Sequence, residues 1–415
     1  MYKTYYNAYS LTGSPVCGSN VTNMSGAYYN CRKLIDSPVC GPNVTSMAET
    51  YEYCYNLAGS PVCGNNVINM HSAYHACHNL VNSPVCGDNV TDMTYTYWDC
   101  YNLTGLPVCG SNVIDMTYTY FNCSNLTGSP VCGPNVTNMR ATYSRCSKLT
   151  DPPICGPNVI NMLGTYSSCY NLVGSPICGD NVTNMQSTYT DCHNLTGSPV
   201  CGDKVTDMER TYHNCYNLTG SPICGPNVIN MLNTYTNCHN LTGSPVCGDN
   251  VTDMRNTYAN CYNLTGSPVC GSNVINMLNT YYNCYNLMKG DAYFYSKNVI
   301  NTTGCFYGKS GSNILNIFVY NNSTTLNHLL YTNTKSIFGQ SCSWSNNLSS
   351  NGYYYCSAKN VYIYPVENIE IRSIFLEIKP QYTFITNSEE SITIPYSFAI
   401  DNYEIQAISS NNNLL

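Results

Sequence analysis

The sequence predicts a repeat solenoid, mainly β with short helical turns and a β-rich C-terminal cap. Two observations carry this. Phrases like LTGSPVCGDNVTDMRNTYANC (241–261) return at a fixed period of 23 residues through the first two thirds of a 415-residue chain. The apolar residues also recur at the same place in every copy. A short period held over twelve copies without insertion marks a stack of coils, each burying its apolar side against its neighbours.

Each column justifies one part of the coil. A leucine column (Leu11 to Leu287), a valine column (Val21 to Val274), a methionine column (Met24 to Met277) and a tyrosine column (Tyr28 to Tyr281) read as side chains pointing into a thin continuous core. PVCG supplies one short strand and NVTDM a second, since β-branched residues favour extension. The Gly after the first cysteine and the pair that follows it form a corner. In MxxTYxNCxNL the apolar spacing becomes 4-3-3, nearer one or two helical turns than a strand. Proline in nearly every S-P-V-C segment removes a ladder donor, so imperfect rungs are expected there. At roughly 4.8 Å per rung, twelve coils make a rod on the order of 55–60 Å long.

Composition narrows the function. Only 9% of residues are charged, against about a quarter in an average globular protein, and Asn, Thr, Ser, Gly and Tyr fill the gap. A net charge of −7 with 16 Lys+Arg leaves no basic stripe, so nucleic acid is not an expected partner. No apolar run of about eighteen residues exists, so no membrane span is expected. The opening MYKTYYNAYSL lacks the apolar core of a signal peptide, so export is expected by another route, such as lysis of an infected cell, or by a leader missing from this chain. The methionine and tyrosine columns read as core filling rather than soft-metal or cofactor sites. The seven histidines occupy scattered columns and form no ligand set. No catalytic set, phosphate loop or HExxH helix is present, so neither an enzyme nor a cofactor is expected.

The string N-V-T-x-M-x-x-x-Y-x-x-C-x-x-L, read at Asn250, Val251, Thr252, Met254, Tyr258, Cys261 and Leu264, resembles BspA-like leucine-rich repeats. Such repeats occur in bacterial surface lipoproteins, protist surface proteins and phage virion proteins. The resemblance spans residues 1–287; Tyr replaces the usual Phe, and the S-P-V-C-G segment is an addition. It implies a right-handed solenoid with a parallel sheet on one face, and adhesion or receptor binding rather than catalysis. It also implies that the second cysteine of each coil is a core residue.

The tail, 288–415, breaks the period. SKNVINTTGCF (296–306) reads as a degenerate coil with Val299 and Cys305 as vestiges of the columns. NILNIFVY (313–320) and NVYIYPVENIEI (360–371) read as strands, and the arrangement with NNSTT and SIFG looks like the cap of BspA-like arrays. The expected divisions are a solenoid over 1–287, a degenerate coil and β cap over 288–365, and a C-terminal β segment over 366–415 with further strands in SIFLEIKPQYTFI and SITIPYSFAI.

The cysteines allow several readings. The first column is Cys17, Cys40, Cys63, Cys86, Cys109, Cys132, Cys155, Cys178, Cys201, Cys224, Cys247 and Cys270. The second is Cys31, Cys54, Cys77, Cys100, Cys123, Cys146, Cys169, Cys192, Cys215, Cys238, Cys261 and Cys284. Spacings alternating between 14 and 9, with no companion His, do not suit zinc or an iron–sulfur cluster, so no metal is expected. Nearly charge-free coils do not suit a redox thiol. A disulfide within each coil competes with a reduced, buried thiol. The column slot before Cys17 holds Ala8, which fits the 14-residue pairing Cys17–Cys31 through Cys270–Cys284, and fits equally a small core residue in a terminal coil. Closing about fifteen residues stabilises a coil by roughly 3 kcal/mol in the chain-entropy model. Intracoil disulfides are the reading adopted, with Cys342 and Cys356, also fourteen apart, as a further pair. A reducing cytosol argues the other way.

Sequons recur as N-V-T (Asn20, Asn43, Asn89, Asn135, Asn181, Asn250) and N-L-T (Asn102, Asn125, Asn194, Asn217, Asn240, Asn263). A eukaryotic secretory route could glycosylate them, but a repeat copies any triplet it contains, which is the reading adopted. The expected function is a virion-surface or tail-fibre structural and host-adhesion protein, located on the virion surface or extracellularly. The alternative is a cell-surface adhesin of a bacterium or protist whose leader and anchor lie outside this chain. Expected partners are a host-surface glycan or protein, other virion or surface proteins, and copies of itself. The variable columns expected to face a partner are the pair after each Met (Thr94-Tyr95, Glu209-Arg210, Arg255-Asn256) and the residue after each second cysteine (His78, Tyr101, His193, Tyr216, His239, Tyr262).

Overall fold

The structure is a computed structural model and describes residues 1–331, 337–339, 342–345, 349 and 352–369. The chain divides after Ile369; the second unit, with the strands expected in 372–415, lies outside the described residues.

Each 23-residue repeat is one coil, and the coils are joined by a parallel ladder. Single bridges run from Asn23 to Ser46 to Asn69 and on, coil by coil, to Asn276 and Asn301. Beside them Thr45 N–H donates to Thr22 O, Ile68 N–H to Thr45 O and Thr91 N–H to Ile68 O, at 2.8–2.9 Å. The NVTDM rung is thus paired along the whole array. The PVCG segment forms a strand only at Val269–Cys270 (β1); in the earlier coils it makes no bridge to a neighbouring coil, as its proline foreshadows.

The expected helical turns are turns of another kind. Ala27 N–H reaches Met24 O and Cys31 N–H reaches Tyr28 O, the i→i−3 bonds of a tight turn. Tyr29 N–H likewise stays in the coil, on Gly26 O, while the amides that alternate with these go to the next coil, as Tyr28 to Thr50 and Asn30 to Glu52. The second and sixth residues after each Met are left-handed, for example Glu49 (φ 55°) and Tyr53 (φ 61°). A helix spends its amides on itself; here every second one serves the stack, so the 3.6-residue spacing appears without an α-helix. Asn fills most of the sixth positions from Asn214 on, since it tolerates this backbone best among residues with a side chain.

The core is five side chains per coil. Val44, Met47, Tyr51, Cys54 and Leu57 are fully buried, as are their counterparts through Val274, Met277, Tyr281, Cys284 and Leu287. A sixth column is polar: Thr165 buries its hydroxyl and donates to the carbonyls of Met139 and Met162, both at 2.9 Å. Glycine follows the first cysteine because the coils touch there. A Cβ on Gly133 would sit 2.8 Å from Gly110 O and 2.9 Å from Cys109 Sγ.

The C-terminal end is closed by a thirteenth, irregular coil and a sheet. Val299 occupies its column, and Phe306 takes the tyrosine place, stacking on Tyr281 at 5.6 Å. Cys305, expected as a vestige of the cysteine column, instead stands in the threonine place: its carbonyl accepts from Tyr281 N–H at 3.0 Å, as Thr280 O accepts from Tyr258 N–H one coil earlier. Strands β2 (Gly290–Phe294), β3 (Leu315–Tyr320), β4 (Tyr354–Cys356) and β5 (Val361–Val366) extend β1 in the order β1-β2-β3-β5-β4. All pairs are parallel except β4–β5, whose antiparallel register sets Cys356 opposite Val361. Helix α1 (Thr324–Tyr331) was read from sequence only as a polar NNSTT stretch. Ser323 caps it by accepting from Leu326 N–H at 3.0 Å. Thr325 bonds Ser296 O and Val299 N–H, which seats the helix on the last coil.

Candidate binding faces

The cysteines do not make the expected clasps. Cys342 and Cys356 form a disulfide, with Cα atoms 6.3 Å apart. All pairs from Cys17–Cys31 to Cys270–Cys284 are free thiols, as is Cys305. The reason is that the two sulfurs of a coil serve different neighbours. Cys169 Sγ donates to Tyr143 O of the preceding coil at 3.0 Å, and the whole second column repeats this bond. Cys155 Sγ instead lies where the next coil's Gly179 approaches, 3.0 Å from the place of a Cβ there. Burial pushes the thiols from Cys40 onward up, Cys63 and Cys201 to about 12 and Cys132 to about 11, so they stay protonated and poor nucleophiles.

The tie across each coil is made by tyrosine. Tyr166 Oη donates to Ile154 O at 2.7 Å and accepts from Ile154 N–H at 3.0 Å, and the other eleven tyrosines of the column make the same pair of bonds. Each phenol thereby satisfies both backbone groups of the residue before the first cysteine, in the very segment that lacks ladder partners. The twelve rings also stack, with centroids 5.4–5.8 Å apart from Tyr28 to Tyr281. Desolvation holds these hydroxyls well above the usual tyrosine range.

Three sets of side chains face outward. The first is the stripe after the second cysteine. His78 stacks on Tyr55 and Tyr101 at 4.9 and 4.4 Å. Farther on, Tyr170, His193, Tyr216, His239, Tyr262 and Tyr285 form an unbroken stack with spacings of 4.7–5.7 Å. Burial lowers the pKa of His78 and His239. Because each ring covers the next, the stripe offers ring edges rather than open faces.

The second set lies after the methionines. Trp98 is the hub, within 5.0–5.2 Å of His75, Tyr95, Tyr118 and Phe121. Arg140 lies 5.6 Å over Tyr118 and Arg145 5.3 Å over Phe121. Of the pairs singled out from sequence, Thr94-Tyr95 belongs here, with Thr94 also bound to Asp92 and His71. Glu209-Arg210 and Arg255-Asn256 lie apart from it; Arg255 makes an ion pair with Asp253 at 2.6 Å. Sequence reading passed over Trp98 and Phe121, although aligning the column five after each Met would have exposed the change from Ser, Thr and Ala to aromatic residues.

The third set was read only as sequons. The Asn and the Thr or Ile that flank each core valine line a shallow groove running from Asn20 to Lys204. The N-L-T asparagines stand elsewhere, Asn194 bonding Asn171 at 3.4 Å. Among the described residues no cluster of three His, Cys, Asp or Glu could hold a metal ion, and no helix is long and apolar enough to cross a membrane.

No family model and no curated protein matches the sequence. Among solved structures, a leucine-rich repeat protein from Bacteroides ovatus ATCC 8483 is similar, at 15% identity and a TM-score of 0.48, over 79% of this chain and 90% of that one. The assignment as a repeat solenoid rests on the chain's own ladder of hydrogen bonds and stacked columns.

Proposed function

We propose that the chain is a non-enzymatic attachment protein, a repeat rod on the surface of a virion or tail fibre that engages a host surface. One observation carries this reading. Most side chains with chemical potential are taken up by the fold: the second-column thiols and the column phenols are buried and bonded to backbone, and the outward residues form long, nearly uncharged columns. What such a surface offers is repeated weak contact, whose strength comes from many sites acting together. The aromatic and Arg cluster around Trp98 adds the residue types that dominate binding energy at interfaces.

The test is attachment itself. Fluorescently labelled full-length chain is expected to bind intact host cells saturably and to be displaced by unlabelled chain. Antibodies raised against the solenoid are expected to decorate intact virions. Turnover of a substrate, or labelling confined to the cell interior, would replace this reading with another.

A further inference from the structure

The groove between the Asn column and the Thr/Ile column assigns a ligand class, and we infer that it binds a linear, uncharged polysaccharide laid along the rod. The inference rests on the attachment reading and names the chemistry of what is attached.

The groove is the same in every coil. Asn43 and Thr45, Asn66 and Ile68, Asn89 and Thr91 continue to Asn181 and Thr183, one pair per rung. A surface that repeats by translation fits a ligand that does the same. The backbone beneath is already paired from coil to coil, so an extended peptide finds no free strand edge to join.

The exposed groups choose among polymers. Each Asn from Asn43 to Asn181 spends one amide N–H on a carbonyl of the preceding coil, as Asn135 on Ser111 O at 2.9 Å and Asn158 on Pro134 O at 2.8 Å. Only nitrogen can donate to a carbonyl, so this bond fixes the orientation of the amide and leaves Oδ1 as an acceptor and the second N–H as a donor. Thr137 and Thr183 spend their hydroxyl protons on Ile114 O and Ile160 O at 3.4 Å, which leaves methyl groups and lone pairs. Between the threonines stand isoleucines with no packing reason to be there: Ile68, Ile114 and Ile160 are 48%, 51% and 48% exposed. One wall therefore offers neutral amides that both accept and donate, and the other methyl groups.

A polyanion would find no cation along the lining before Lys204. A sugar chain suits both walls, with hydroxyls that donate and C–H faces that pack. The groove holds one cation of its own: Lys204, standing where the column calls for Asn, places Nζ 2.7 Å from Asn181 Oδ1. Lys204 is the single charged side chain in the lining and marks the groove's end, although Asn227, Asn250 and Asn273 resume the column beyond it.

Full-length protein would be mixed with insoluble cellulose, chitin, xylan, mannan and starch, and with alginate as the polyanion. Retention is expected on at least one neutral polymer and not on alginate, with release by soluble oligosaccharides of the same sugar. Ile114→Asp with Ile160→Asp, both on exposed positions, should weaken retention at least roughly tenfold at an unchanged melting temperature. Lys204→Asn, which completes the column, should strengthen it roughly two- to fivefold, since the number of linked subsites rises. No retention on any neutral polymer overturns the inference, as does retention that Lys204→Asn leaves unchanged. Saturable binding to host cells without polysaccharide retention would keep the attachment reading and discard this one.

Discussion

At the scale of the residue, the phenol does what the thiols were expected to do. Tyr166 bridges its coil through two hydrogen bonds to one backbone residue, in a segment that makes no ladder bridge to its neighbours. Tyr166→Phe keeps the stacked ring and strands the N–H and C=O of Ile154, so it should cost about 2–3 kcal/mol, the penalty for buried groups left unmade. Denaturant unfolding gives the magnitude, and amide exchange at Ile154 should rise locally if the cause is right. The thiols allow a direct count. Titration in denaturant without reductant should find 25 free thiols of the chain's 27 cysteines. A count near one would mean that the intracoil bridges form after all.

At the scale of the element, what was legible followed from periodicity. The core columns, the coil length, the irregular thirteenth coil and the strands at 315–320 and 361–366 all announce themselves as repeated or alternating apolar residues. The turn after each methionine was misread because its spacing is helical while its hydrogen bonds run between coils, and spacing does not report the direction of an amide. Helix α1 was missed because TTLNHLLY is short and polar at its start; Ser323 was its only local signal. The groove hid for the opposite reason. Its asparagines were so regular that they looked like a copied triplet, and only the bond from Asn135 to Ser111 separates a structural amide from an ornament of the repeat. The stacked His/Tyr stripe was visible as a column, but its self-covering geometry was not.

At the scale of the whole molecule, stability should depend on pH in a way that follows from what is buried. Ion pairs contribute little: among the described residues Arg255–Asp253 is one, and His75–Glu52, a hydrogen bond at 3.0 Å, is a second only when the imidazole is protonated. The buried groups are acids kept neutral. In the unfolded chain a thiol ionises near pH 8.5 and a phenol near pH 10. In the fold Cys86, Cys109, Cys178 and Cys224 are pushed up to about 11, Cys63 and Cys201 to about 12, and the tyrosine column is raised as well. Above about pH 8.5 the unfolded chain therefore releases protons that the folded chain retains, and stability must fall as pH rises. The contribution is complete below the unfolded values and is lost on the way through pH 11–12. On the acid side His78, His213 and His239, lowered by burial, act in the opposite sense: the unfolded chain takes up protons first, so stability declines below about pH 6.5. Denaturation midpoints under reducing conditions should form a plateau between about pH 6.5 and 8.5 and drop steeply by about pH 10.5, with little dependence on salt. The steep alkaline limb is the signature of many weak terms acting in register: each coil adds its own thiols and phenol, and neighbouring coils unfold together because each stands on the next. A midpoint unchanged up to about pH 10.5 would mean that the columns are not the protonated, desolvated core described above.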